Sequence, residues 1–446
     1  MLETDHPGAS GSVARPRSVP SATTGRTAAA GSTPALARCI GVTAAEFADR
    51  YWSSAALLTP AAELDRDFGD LLSTEAVDEL ISARGLRTPF LRMAKDGSVL
   101  ASASFTRSGG VGAGIADQVA DDKVLGQLAA GATLVLQALH RSWPPLIVFG
   151  SLLAAELGHP VQINAYITPP ASQGFAAHYD THDVFVLQVA GTKRWTIHAP
   201  VIDDPLPDQT WDHRRTEVAT RATEPALIDT VLTPGDALYL PRGFLHSAVA
   251  QGDVSIHLTV GVHPVTGYDL ARELIAAAAT DRDLRRSLPM PTDVTDLAVM
   301  TDHVRAAAHR LATAVDQAGP DQLTTVARRV GRRQSGQTRP APLAPLAQLT
   351  ALRELDAGTP LTLRPGLRPT LRRSGDRWAL EVIDATVNWP AQAHDALLVA
   401  VSGAVFCPGE LPGLDPEERL VVAGRLLREG VVVPAAAGGP DRGRGE

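Results

Sequence analysis

Between residues 176 and 195 the chain reads AAHYDTHDVFVLQVAGTKRW. Four side chains able to hold a metal, His178, Asp180, His182 and Asp183, fall within six positions directly before an apolar run. In a strand, alternate residues share a face, so His178 and Asp180 are expected to point the same way. Two ligands need a third. His246 is the candidate, in GDALYLPRGFLHSAVA, where Gly235-Asp236 and Pro241-Arg242-Gly243 bracket a short strand and His246 begins the next. A rolled sheet brings inward-facing residues of distant strands together, so the separation is no obstacle.

Two imidazoles and one carboxylate on one face leave about three positions of an octahedral ion open. That is the donor set of non-haem Fe(II) oxygenases, which need the open positions for a cosubstrate and O₂. A structural zinc site would close all four positions and would usually employ thiolates. His182 is read as a residue of the rim, because the triad is complete without it. His257, in SIHLTVGV, reads as a core histidine. His140, His198, His213 and His263 show no partner pattern.

Fe(II) of this kind needs an oxidant partner, usually 2-oxoglutarate, whose far carboxylate needs a cation deep in the barrel. Lys193, in AGTKRW after Gly191, is the candidate. A lysine inside a β-core is costly unless paired, and a bound carboxylate would offset that cost. The alternative is that Lys193 points outward and Arg194 and Trp195 matter for packing.

The elements that must position these residues lie within 446 residues, long enough for two or three domains. The formal net charge of −8 argues against non-specific nucleic-acid binding by the whole protein. Cys39 and Cys407 stand far apart with no CxxC pair, which fits a reducing compartment and excludes a disulfide framework. No run approaches the roughly 18 apolar residues of a membrane span. The first 35 residues, rich in Gly, Ser, Thr, Pro and Ala, lack a signal-peptide core and read as a disordered tail; residues 435–446 read as a loose one.

TAAEFADRYWSSAALL has helical spacing, as does TEAVDELISARGL, with Thr74 as N-cap and Gly85 as stop. Asp96-Gly97 marks a hairpin. The segment from LGQLAAG to AAELG reads as helical, broken at Pro144-Pro145. From 161 to about 262 short β-like runs between Gly and Pro turns suggest a sandwich or jelly roll. Residues 199–226 read as a long loop. Beyond Pro264 the spacing turns helical, RRVGRRQSGQTRPAPLAP reads as a basic linker, and about 343–434 form a small unit of helices and strands.

The stretch NAYITPPASQGFAAHYDTHDVFVLQVAGTKRW resembles the JmjC-domain ribosomal oxygenases of the cupin superfamily, in its N-x-Y-x-T-P, S-Q-G, H-x-D and G-x-K-x-W elements. The likeness continues through GDALYLPRGFLHSAVA and SIHLTVGV and reaches upstream to LRTPFLRMAKDG, covering about 40–265. It implies an α+β fold: a double-stranded β-helix (the cupin/JmjC jelly roll) with flanking helices over 36–268. It further implies a helical dimerisation region over 269–338 and a winged-helix-like domain over 339–434. His178, Asp180 and His246 would bind Fe(II), Lys193 would pair with the distal carboxylate of 2-oxoglutarate, Asn164 would contact that cosubstrate, and Tyr166 would line the substrate side. One departure stands out: where family members often carry a serine near the end of the HLT strand, this chain has Gly261, and Thr259 or a water would have to compensate.

The expected activity is therefore hydroxylation of a protein side chain, of a ribosomal protein by resemblance, by a cytoplasmic homodimer that neither enters membranes nor binds nucleic acid directly. Two other readings are carried. One keeps the chemistry on a peptide or small-molecule substrate; the other is a non-catalytic metal-binding cupin.

Overall fold

The computed structural model describes residues 34–435 except 384. The two expected tails fall outside these residues, apart from residues 34, 35 and 435. Ala35 is docked rather than loose: it is buried, and its N–H donates to Glu156 Oε1 at 2.8 Å.

Nine strands pair into one sheet. Its order is Leu57–Thr59, Ala237–Leu240, Asp183–Pro200, Phe244–Val262, Val161–Thr168, Thr133–Leu136, Leu91–Lys95 and Ser98–Val99, with Ile228–Leu232 added to Asp183–Pro200. These pairings are antiparallel. Asp183–Pro200 and Phe244–Val262 turn a corner together. Residues 183–190 pair with 256–262, and residues 192–200 pair with 244–251. At the corner Gly191 has φ +60°, and a Cβ there would lie 2.2 Å from Val254 O. Each long strand thus serves two layers, which is the jelly roll expected from the sequence.

Period-two alternation sets up the interior. Along Val161–Thr168, Val161, Ile163, Ala165 and Ile167 join the main core with Leu134, Phe185, Leu258 and Val260. Gln162, Asn164 and Tyr166 turn to the opposite face and line a cavity. A fully buried residue such as Ile163 contributes about 2 kcal/mol relative to exposure.

Several elements differ from expectation. The first helix, Ala44–Arg50, stops early: Ser53 adopts φ +51°, its N–H donates to Tyr239 Oη, and Leu57–Thr59 joins the sheet. Ser73, not Thr74, caps Thr74–Ser82, its Oγ accepting from Ala76 N. The segment read as helical around residues 125–158 contains the strand Thr133–Leu136. All four of its residues are buried, so it has no alternation to betray it. Pro144 opens the helix Pro144–Leu157 rather than breaking one, because the first helical position needs no N–H. The 199–226 loop contains the helix Arg215–Arg221. The Asp96-Gly97 turn is formed, with φ +51° and +79°.

Three longer helices follow the sheet: Gly267–Ala278, Leu297–Asp316 and Pro320–Gln337. The last absorbs most of the expected linker, because Arg and Gln are good helix formers and no proline interrupts them before Pro340. The C-terminal unit has its own core, including Leu361, Leu380, Trp389, Leu397 and Leu426. Its three-stranded sheet includes Ala385–Pro390, which was not expected. Among the described residues no helix is long and apolar enough to cross a membrane.

Candidate metal centre

His178 and His246 face each other across a single antiparallel bridge. His178 N donates to His246 O at 3.1 Å and His246 N to His178 O at 2.9 Å. The bridge lies in the loop preceding Asp183–Pro200, so the strand geometry invoked for His178 and Asp180 is replaced by this lone pairing. Asp180 follows it, its carbonyl accepting from Gly243 N at 3.0 Å. One ligand atom from each of His178, Asp180 and His246 lies within 4.8 Å of the others.

The tautomers can be read off the backbone. His178 Nδ1 lies 2.8 Å from Ala176 O, and His246 Nδ1 lies 3.0 Å from Phe244 O. A carbonyl only accepts, so each Nδ1 carries a proton and each Nε2 is the atom left to face a metal. Burial pushes His246 down to about 4, so the ring is neutral near pH 7. Burial would raise the Asp180 carboxyl, but His182, His246, His178 and Arg92 outweigh it and hold it below the usual range. Two imidazoles and a carboxylate, with no thiolate among them, fit an octahedral divalent transition metal.

A cavity of about 550 Å³ opens on these groups. Lys193 lines it, buried, with Nζ donating to Thr168 Oγ1 at 3.0 Å. This settles its direction as inward. Burial lowers it to about 7, and no carboxylate among the described residues offsets the effect. Asn164 and Tyr166 line the same cavity, paired in register with Thr259 and His257. Asn164 Oδ1 accepts from Ala138 N at 3.0 Å, and Tyr166 stacks on His257 at 5.0 Å.

Gly261 is explained by His182. A Cβ at Gly261 would lie 2.8 Å from the His182 ring. His182 Nε2 is 3.0 Å from Gln162 Nε2, and the ring meets His263 edge-on at 5.0 Å. His182 therefore stands on the cavity wall, as read. Asp183 does not face the metal ligands. Fully buried, it accepts from Tyr239 Oη at 2.7 Å, Ser53 Oγ at 3.1 Å and Arg242 N at 3.1 Å.

His257 is buried and stacked, as expected of a core histidine, yet it also borders the cavity. His140 does too, its Nδ1 accepting from Ile163 N at 3.0 Å. His213 is exposed and His198 is buried away from the cavity. Arg92, Phe175 and Trp211 also line it and escaped the sequence reading. Arg92 alternates with the core residues Leu91 and Met93, and that alternation was the available signal.

Residues 151–270 match the JmjC domain family. Ribosomal oxygenase 1 of Rattus norvegicus is 36% identical over 167 residues, 36% of this chain and 28% of that protein. The bifunctional lysine-specific demethylase and histidyl-hydroxylase NO66 of Drosophila persimilis is 37% identical over 139 residues, 30% of this chain and 19% of that protein. The alignments thus span less than a third of either relative. Among solved structures, the Escherichia coli ribosomal oxygenase YcfD in complex with cobalt and succinic acid superposes with TM-score 0.51. It is 18% identical, and the match covers 89% of this chain and 99% of that one. The same protein with cobalt and 2-oxoglutarate gives 0.50 at 17% identity, over 89% and 99%. Residues 151–270 are thus similar to the JmjC domain family, within a chain whose fold resembles that of a ribosomal oxygenase.

Proposed function

We propose that this protein is an Fe(II)- and 2-oxoglutarate-dependent oxygenase that hydroxylates a protein side chain, of a ribosomal protein. One observation carries the reading: the His178, Asp180 and His246 donors open on one cavity with the buried Lys193, which has no counter-charge among the described residues. Nε2 of each histidine and a carboxylate oxygen of Asp180 would hold the iron. Lys193 and Thr168 would receive the distal carboxylate of 2-oxoglutarate, and Asn164 would hold its near end. Tyr166 would border the side chain to be oxidised. Bound iron, with O₂ and 2-oxoglutarate, supplies the oxidising power, and the products are the hydroxylated side chain, succinate and CO₂. The protein's part is to set tautomers, place the cosubstrate and shield the reaction within the barrel. The relatives' names, ribosomal oxygenase and histidyl-hydroxylase, support the choice of substrate.

The same proposal assigns 36–268 to catalysis, 269–338 to homodimerisation and 339–434 to a winged-helix-like unit, in a cytoplasmic protein. Exposed apolar side chains on the middle helices, among them Leu297, Val304 and Leu323, support the dimer.

Anaerobic titration with Fe(II) and 2-oxoglutarate tests the site. A visible charge-transfer band is expected, and it should vanish in His178→Ala. Adding O₂ and ribosomal proteins should give succinate and one protein heavier by a single oxygen atom. A band without a mass shift would remove ribosomal proteins as substrate. No band in the intact protein would leave a non-catalytic cupin.

A further inference from the structure

A cavity of about 650 Å³ stands apart from the metal cavity. It lies between the helix Pro320–Gln337, the C-terminal unit and the end of Pro144–Leu157. Arg328, Arg332 and Arg368 line it. A second hollow adjoins it, shares Arg328 and Arg332, and adds Arg329 and Arg372. Five arginines thus border these two adjoining hollows, which together form a cleft, in a chain of net charge −8.

Glu381 is the one acidic residue among the described residues lining either hollow. It is 8% exposed, and it pairs with both Arg332 and Arg372. That buried carboxylate holds two guanidinium forks in place while leaving four net positive charges among the described residues that line the cleft. Arg328, Arg329 and Arg368 are exposed and form no ion pair with a described residue. Nearby, burial and then Arg339 lower Arg364, so like charges crowd this junction. Gly331 sits between Arg328 and Arg332 in mid-helix, and a Cβ there would meet nothing within 4 Å. The groove is therefore open along the arginine row.

The chemistry that fits is a run of phosphates. Guanidinium forks match phosphate oxygens bidentately. A cleft running across two hollows suits a polyanion better than a single ion. Apart from His159, no aromatic ring among the described residues lines it, so bases would have nothing there to stack on. We propose that this cleft binds RNA through its phosphate backbone, without sequence preference. The fold brings together Arg328, Arg329 and Arg332 of the expected basic linker and Arg368 and Arg372 of the C-terminal unit. The proposal does not rest on the oxygenase reading. Where both hold, the cleft would seat the enzyme on the ribosome.

Fluorescence anisotropy of the full chain with a labelled RNA hairpin, across a potassium chloride series, tests it. Binding should weaken with salt at a log–log slope of about 3, from roughly 0.7–0.9 per phosphate neutralised. Arg328→Glu with Arg368→Glu should weaken binding at least tenfold and flatten the slope. Arg282→Glu with Arg285→Glu, the same charge change on exposed residues away from the cleft, should alter it less than twofold. Both variants should keep the wild-type melting temperature and the Fe(II)/2-oxoglutarate band, which separates this test from that of the metal site. No RNA binding, equal losses in the two variants, or polyglutamate competing as well as RNA would each overturn the proposal.

Discussion

Lys193 sits with its ammonium in the barrel and its one hydrogen bond on the neutral Thr168 hydroxyl. Burial lowers it from 10.5 to about 7. The unfolded chain therefore binds more protons between those values. The stability of the ligand-free protein should rise with pH across that window, and the cost of the lysine is greatest below pH 7. Lys193→Met should remove that cost and raise ligand-free stability at pH 7 by about 1–3 kcal/mol, read by calorimetry. An unchanged melting temperature would mean that Lys193 has a counter-charge. Saturating 2-oxoglutarate should stabilise the wild type, by about 2.7 kcal/mol at a hundredfold excess over Kd, and leave Lys193→Met unmoved. The pH dependence has a definite sign. The cosubstrate carboxylate needs the ammonium, so above pH 7 binding must take up a proton. Kd should rise by up to tenfold per pH unit there, and stay flat in Lys193→Arg, which remains charged throughout. A flat profile in the wild type would place the distal carboxylate elsewhere.

At the scale of elements, the metal ligands depend on two pieces of backbone pinned together. The loop carrying His178 and Asp180 is held to the 241–246 turn by the His178–His246 bridge and by Gly243 N on Asp180 O. Asp183 fastens the same turn from below, through Arg242, Tyr239 and Ser53. Asp183→Ala would leave Arg242, its side chain 9% exposed, with only the exposed Asp204 as counter-charge among the described residues. A loss of about 3 kcal/mol in stability is expected, with weaker Fe(II) binding because His246 rides on that turn. Unchanged metal affinity in the folded variant would show that the turn does not position the ligand. Gly261→Ser should likewise disturb the cavity by pushing on His182, and His182→Ala should relieve it. These relations mark what the sequence could and could not disclose. His178, Asp180 and His246 were legible because their types and their flanking turns are local. Lys193 was ambiguous because burial is a property of the fold. Thr133–Leu136 was hidden because a strand buried on both faces has no period, and Asp183 looked like a ligand because its partners come from two distant segments, around Ser53 and around Tyr239 and Arg242.

For the molecule as a whole, the jelly roll and the C-terminal unit each close around a core, but the helices between them do not. On Leu297–Asp316 no residue is buried. Leu297 is 83% and Val304 62% exposed, and Leu311 continues them at the same seven-residue spacing. Tyr268 and Ile275 repeat it on Gly267–Ala278, both more than half exposed. A seven-residue apolar repeat is the seam of a helix pair, because it returns to nearly the same side every two turns. Left in water, a patch of this kind favours association. A second copy of the chain is the partner that the shared helical region supplies, by an isologous contact in which each patch meets its equal. Sedimentation velocity at micromolar concentration should find a dimer. Leu297→Glu with Val304→Glu should give a monomer, since two carboxylates facing their symmetry mates would be buried together. Such a monomer should keep the charge-transfer band, because the metal ligands lie on the jelly roll, away from these helices. A wild type that sediments as a monomer would remove the dimer, and a variant that stays dimeric would move the interface to another face.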